Sequence, residues 1–229
     1  MLLTSPILMY HSTATDPQLA VNVTPELLAE HLRVLQRQGK GCCSVRALLA
    51  GESGCDLALT FDDGYANNLE ILPVLNEFRA GATFFVLTSG EGETLSHHKP
   101  RQVPLMGPQG WETLHEGGFE VAAHGQSHRR LAELTVREQE QEIAGSIRAL
   151  CDTLGVSSVG YAYPYGVMDS SSYRLAQEYA EYACATRFRG FLREDRWCLR
   201  RINIGPNDSP RRFNWKLNKI IRLLFDMGF

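Results

Sequence analysis

The chain has 229 residues, 44% of them hydrophobic and 21% charged, with 23 basic against 26 acidic side chains and a formal net charge of -3. A single domain of this size buries roughly 70% of the surface its unfolded chain exposes, so its core needs no metal or disulfide staple. The balanced charge excludes a nucleic-acid footprint, and no apolar run approaches the roughly 20 residues that span a bilayer.

Strand-length apolar segments alternate with amphipathic segments of helix length, the signature of repeated βα units in one domain covering residues 1–229. The opening Met1 to His11 has no basic start and no small-residue cleavage site, which predicts a cytoplasmic chain. Pro6 to Tyr10 predicts the first strand. A helix follows from Thr24 as N-cap, with Pro25 at the first helical position, Leu28, Leu32 and Leu35 on one face, and Gly39 as its stop. Leu57 to Phe61 predicts a strand, Asn68 to Arg79 a helix, and Ala82 to Leu87 another strand. Thr88 to Gly110 lacks periodicity and predicts a long loop. Trp111 to Glu116 predicts a short helix and Phe119 to Ala123 a strand.

Thr135 and Glu138 form a capping box for a helix with Ile143, Ile147 and Leu150 at helical spacing and Gly155 at its end. Val159 to Tyr163 predicts a strand, Ser170 to Tyr182 a helix, and short strands are expected near Cys184 and over Leu199 to Ile204. The six cysteines, Cys42, Cys43, Cys55, Cys151, Cys184 and Cys198, make no CxxC pair, which predicts free thiols in a reducing compartment. From Ser209 onward five cations face one acid, Asp226, and apolar residues including Phe213, Leu217 and Ile221 share a helical face. A helix over about 210–226 can therefore pack on the body or rest on an anionic membrane surface, and the packed fate is the commoner one.

Polar motifs stand at the C-terminal ends of predicted strands, where a parallel barrel builds its site. Thr60-Phe61-Asp62-Asp63-Gly64 carries two carboxylates, and His124-Gly125-Gln126-Ser127-His128 carries two imidazoles four residues apart. Alone, Asp-Asp-Gly also reads as a turn and the histidine pair as chance. Together they offer one carboxylate and two imidazoles for a metal, with the second carboxylate left over as a base.

With Tyr161-Ala162-Tyr163-Pro164-Tyr165-Gly166, these motifs resemble, in order and spacing, those of the polysaccharide deacetylases of carbohydrate esterase family 4, the NodB-homology family. The resemblance implies an α/β fold, a distorted (β/α) barrel with about seven parallel strands. It also implies metal-dependent hydrolysis of N-acetyl groups on an amino-sugar polysaccharide or oligosaccharide. By motif position, Asp62 is the general base, and Asp63, His124 and His128 hold a divalent metal, zinc before cobalt or nickel. Tyr165 offers its backbone N–H to the oxyanion.

The chain departs from the family pattern twice. Ala162 occupies the place of an arginine that orients the base, and Arg201 is the candidate replacement, set against a surface ion pair. No histidine follows His128, so the family's late histidine is missing. His11, in Tyr10-His11, fits the variant in which an opening histidine is the general acid, set against a structural histidine. His31, His97, His98 and His115 are expected in solvent, and Trp111 and Trp197 either stack on sugar or pack. The implied partner is an N-acetylated saccharide, handled in the cytoplasm or at the inner membrane face, with no nucleic acid and no oligomeric state set by the sequence. Alternatives are an O-acetyl esterase, a cyclic-amide hydrolase, or a catalytically silent carbohydrate-binding barrel.

Overall fold

A computed structural model describes residues 5–15, 20–89, 103–186 and 195–226, with side chains through residue 219. Its strands are β1 (Ile7–Tyr10), β2 (Cys42–Cys43), β3 (Leu57–Phe61), β4 (Thr83–Val86), β5 (Glu120–Ala123), β6 (Tyr161–Ala162), β7 (Ala183–Ala185) and β8 (Leu199–Asn203). All the pairings between them are parallel. The order β3-β4-β5-β6-β7-β8 is closed by β1, which pairs with both β8 and β3, giving a seven-stranded parallel barrel. This is the expected fold class.

Alternation along each strand sorts the side chains. Leu8, Tyr10, Leu59, Phe61, Phe84 and Val86 face the helices and form the larger apolar cluster. Ile7, Ala58, Phe85, Ala122, Ala162, Cys184 and Leu199 form the second cluster inside the barrel. Small side chains dominate there, as a ring of only seven strands demands.

β2 was not expected, because two residues carry no readable period. It pairs with the first two residues of β3, whereas β4 pairs with β3 only at Thr60 and Phe61, so β2 fills the lower part of that seam. The chain then forms a short helix, α2 (Val45–Ala50), also unpredicted, with Ser44 accepting from the Ala47 N–H.

The longer helices follow their sequence signals. In α1 (Pro25–Arg37) the Thr24 hydroxyl accepts from the Leu27 N–H, and the C-cap is Gln38, one residue before the expected Gly39. The segment expected as one helix from Asn68 opens as a 3₁₀ turn over Ala66–Ile71 and becomes α3 (Leu72–Glu77), with Pro73 in its first turn, where a missing N–H is tolerated. After α4 (Pro108–Glu116), the capping box of Thr135 and Glu138 starts α5 (Val136–Leu154), and Gly155 ends it. α6 (Ser170–Tyr179) stops before the expected Tyr182, which is buried beside β7. α7 (Pro210–Asp226) packs through Phe213 and Leu217 against the body, so its described half takes the packed fate.

Two side-chain expectations are corrected. His31 is not in solvent: it is fully buried, with Phe213 stacked on its ring at 4.3 Å. Its Nε2 donates to the Asp208 carbonyl at 2.6 Å, which leaves Nδ1 to accept from the Tyr10 hydroxyl at 3.1 Å. Burial holds this imidazole below its ordinary value despite the Asp208 carbonyl. His115 is exposed as expected, and His97 and His98 lie outside the described residues.

The cysteines are not all free either, because Cys43 and Cys55 form a disulfide with Cα atoms 5.5 Å apart. β2 sets this pairing, and linear spacing does not reveal it. The compartment argument rested on six free thiols, and the Cys43–Cys55 pair removes that premise. Denatured without reductant, the protein should titrate four thiols, those of Cys42, Cys151, Cys184 and Cys198, and six after reduction. Six before reduction would remove the disulfide.

Candidate active site

The C-terminal ends of β1, β3, β5 and β6 open on one face of the barrel. There His11, Asp62, Asp63, His124, His128 and Tyr165 line one cavity of about 330 Å³, with Met9, Asn203 and Thr186 among its walls. Seven histidines and many acids are spread over the chain, and the topology selects these few.

Asp63, His124 and His128 are all buried, and one donor atom from each lies within 4.8 Å of the others. Asp63 Oδ1 is 3.5 Å from His124 Nε2 and 3.3 Å from His128 Nε2. His124 Nδ1 donates to the Ala162 carbonyl at 2.8 Å, which fixes the tautomer and leaves the Nε2 lone pair directed at the cluster. Two imidazoles and a carboxylate with open positions are a donor set for zinc or a similar divalent ion. The residues present therefore fit the metal that the motifs implied. Burial raises the Asp63 carboxyl, and the two imidazoles that face it outweigh this, holding the group well below the usual carboxylate range.

Holding these side chains strains the backbone. Four non-glycine residues among those described have positive φ, and three of them are Asp63 (72°), His128 (59°) and Tyr165 (60°). Each such conformation costs of order 1 kcal/mol and persists only where surrounding contacts impose it. After Tyr165 the turn requires Gly166, since a Cβ there would lie 1.7 Å from Thr186 Oγ1.

Asp62 is held separately. Arg201 points into the barrel from β8 and forms a fork on it, Nη1 to Oδ1 at 2.5 Å and Nη2 to Oδ2 at 2.7 Å. The guanidinium is also 3.3 Å from Thr60 Oγ1 and 5.2 Å from the centre of the Phe85 ring. The side chains are only 1% and 4% exposed, which distinguishes this contact from a surface ion pair. Burial alone would raise the Asp62 carboxyl, but the charge and hydrogen bonds of Arg201, with His124 nearby, bring it below the ordinary value. Ala162, on β6, leaves room inside the barrel and contributes only its carbonyl.

His11 is half-buried on the loop after β1. A polar network ties that loop down: the Ser12 hydroxyl bonds Asn22 at 2.8 Å, the Thr13 hydroxyl bonds Asn68 at 2.7 Å, and Asn67 donates to Ser12 at 2.9 Å. The Tyr165 ring lies against His128 at 4.6 Å and under the Arg130 guanidinium at 3.9 Å. Arg130 and Tyr65 were passed over in the sequence. Burial and then the Asp63 charge push the Tyr65 phenol well up, which marks its closeness to the cluster, and only its place two residues after Asp63 hinted at this. Trp111 is buried in the core and Trp197 donates to the Ala180 carbonyl at 3.2 Å, and neither lines the cavity.

Comparison with known proteins agrees with this geometry. The profile of the family described as polysaccharide deacetylase matches residues 52–184. A Bacillus subtilis (strain 168) protein named as a polysaccharide deacetylase, YxkH, is 24% identical, over 91% of this chain and 74% of its own length. The Streptococcus pyogenes deacetylase PplD, solved in complex with acetate, superposes with a TM-score of 0.75 at 25% identity, covering 93% of this chain and 97% of that one. IcaB from Ammonifex degensii shares the fold, with a TM-score of 0.74 at 18% identity over 93% and 97% of the two chains.

The buried fork allows a direct test. Arg201→Met strands the Asp62 charge inside the barrel and should lower unfolding stability by about 3–5 kcal/mol, whereas a surface pair would contribute at most about 1 kcal/mol. Denaturant titration of the variant distinguishes the two.

Proposed function

Because the chain belongs to the polysaccharide deacetylase family, we propose that it is a metal-dependent hydrolase that removes N-acetyl groups from an amino-sugar saccharide, of the exopolysaccharide or carrier-linked kind. The observation that carries this reading is the division of labour between adjacent carboxylates: Asp63 faces two imidazoles while Asp62 is clamped by Arg201. A silent binding barrel that only kept a metal would have no use for the second, desolvated carboxylate and its buried counter-ion.

Asp63, His124 and His128 would hold a divalent ion, which would supply Lewis acidity to the site at neutral pH. Asp62, fixed by the fork, takes the proton from the attacking water, each of its oxygens keeping a lone pair beyond the bond to Arg201. The Tyr165 N–H donates to the oxyanion as it develops, a contact of a kind whose loss raises barriers by about 3–4 kcal/mol. His11, in the same cavity, protonates the departing amine, a task suited to imidazoles because they exchange protons near neutral pH. Acetate in the PplD structure is the acid such a reaction would release, which supports the assignment of the acyl group.

The described outer face of α7 carries Arg211, Arg212 and Lys219 around Trp215, which is 59% exposed with the Lys219 ammonium 4.9 Å from its ring. An aromatic ring among cations suits a headgroup region, and we propose that this face rests on an anionic membrane surface. No described helix is long and apolar enough to cross a membrane.

Acetate release from a panel of N-acetylated, O-acetylated and cyclic-amide substrates tests the reaction. The expected result is turnover of an N-acetylhexosamine oligomer, lost on chelation, restored by zinc or cobalt, and lowered about 10²–10⁴-fold in His11→Ala with metal still bound. Turnover of only the ester or the cyclic amide would reassign the substrate, and none at all would favour the silent barrel. For the membrane face, the protein should float with anionic but not neutral liposomes, and Trp215→Ala should weaken flotation. Equal recovery from both vesicle types would sink that part.

A further inference from the structure

The loop that carries His124 and His128 belongs to no helix or strand, yet its backbone is closely accounted for. On one side the Gly125 and Gln126 carbonyls accept from the Thr88 and Ser89 amides at 3.3 and 2.9 Å, and the Ser89 hydroxyl adds a bond to the Gln126 carbonyl at 2.6 Å. On the other side a single side chain does the work. Glu142, on α5 and only 5% exposed, accepts from the Gln126 and Ser127 amides with Oε2 at 2.9 and 3.0 Å and bonds the Ser127 hydroxyl with Oε1. The loop is shaped around this carboxylate: at Gly125, where φ is 88°, a Cβ would lie 3.0 Å from Glu142 Oε2.

We propose that Glu142 is a positioning residue for the metal centre, holding the His124–His128 loop in the form that presents both imidazoles to one ion. The inference rests on the metal-dependent reading above. The other buried carboxylates among the described residues face imidazoles or cations: Asp63 the two histidines, Asp62 Arg201, and Asp208 Lys216. Glu142 instead spends its oxygens on amides and a hydroxyl of the ligand loop, bonds strengthened by the carboxylate charge. Without it, the amides at 126 and 127 would have to turn toward other acceptors, and His128, whose left-handed backbone needs outside support, would relax away from His124.

The test is zinc affinity by calorimetry on the full chain, with thermal unfolding alongside. Glu142→Ala should weaken zinc binding about 10–100-fold, the usual consequence of losing an orienting partner of metal ligands. Glu142→Gln keeps the reach and an acceptor oxygen, whereas Glu142→Asp keeps the charge but falls a methylene short, so positioning requires the glutamine variant to bind more tightly than the aspartate variant. If Glu142→Ala does not fold, that order decides alone. Gln139→Ala is the control: this buried side chain of the same helix bonds the Leu131 carbonyl and Asp169, and its loss should lower stability without changing zinc affinity. Unchanged affinity in the folded Glu142 variants, or aspartate binding more tightly than glutamine, overturns the proposal and leaves the function standing. A wild-type protein that binds no zinc overturns both.

Discussion

β1 is hydrogen-bonded along both edges, to β3 from Ile7 to Tyr10 and to β8 from Ile7 to Met9, and the site depends on that double pairing. It closes the ring and sets the register in which Arg201 and Ala58 both lie level with Ile7. Inward residues recur every second position, so Arg201 shares the interior with Thr60 and Asp62 and reaches upward to them from two strands away. Desolvating a guanidinium and a carboxylate is expensive, and the two-pronged contact, with Thr60 and Phe85 alongside, offsets it only in this geometry. A slip of β8 by one residue would turn Arg201 outward and leave Asp62 alone in the barrel.

The second requirement is local. Asp63, His128 and Tyr165 occupy backbone conformations that glycine would adopt more easily, and each carries a side chain the cavity uses. The neighbours compensate: the Ala162 carbonyl orients His124, the Tyr165 ring backs His128, and Thr88, Ser89 and Glu142 bind the loop between the histidines. The chemistry is thus concentrated on loops, while precision comes from strands and a helix packed beneath them.

Much of this was legible in sequence because it was local. Thr24-Pro25 and the Thr135–Glu138 box announce helices through short-range hydrogen bonds, and seven apolar strand segments announce the ring. Asp62-Asp63-Gly64 and His124 to His128 gather the candidate ligands within a few residues of one another. What escaped was long-range. Cys43 and Cys55 meet through the placement of β2, and His31 is buried because α7 returns to lie on α1. Arg201 could be named in sequence only alongside a bland alternative, since 139 residues separate it from Asp62 and nothing short of the closed ring specifies the distance. Glu142 was passed over in sequence, as one of three glutamates within five residues at the start of α5.

The strand that contributes Arg201 lies past residue 184, where the match to the family profile ends. A polypeptide trimmed to that boundary would retain both aspartates and both histidines, and by motif inspection its site would look complete. It would nonetheless lack β8, so β7 and β1 would each expose an unpaired edge, and an anion would be stranded at the mouth of an open sheet. The smallest unit that can fold around this chemistry is therefore longer than the unit that its motifs define.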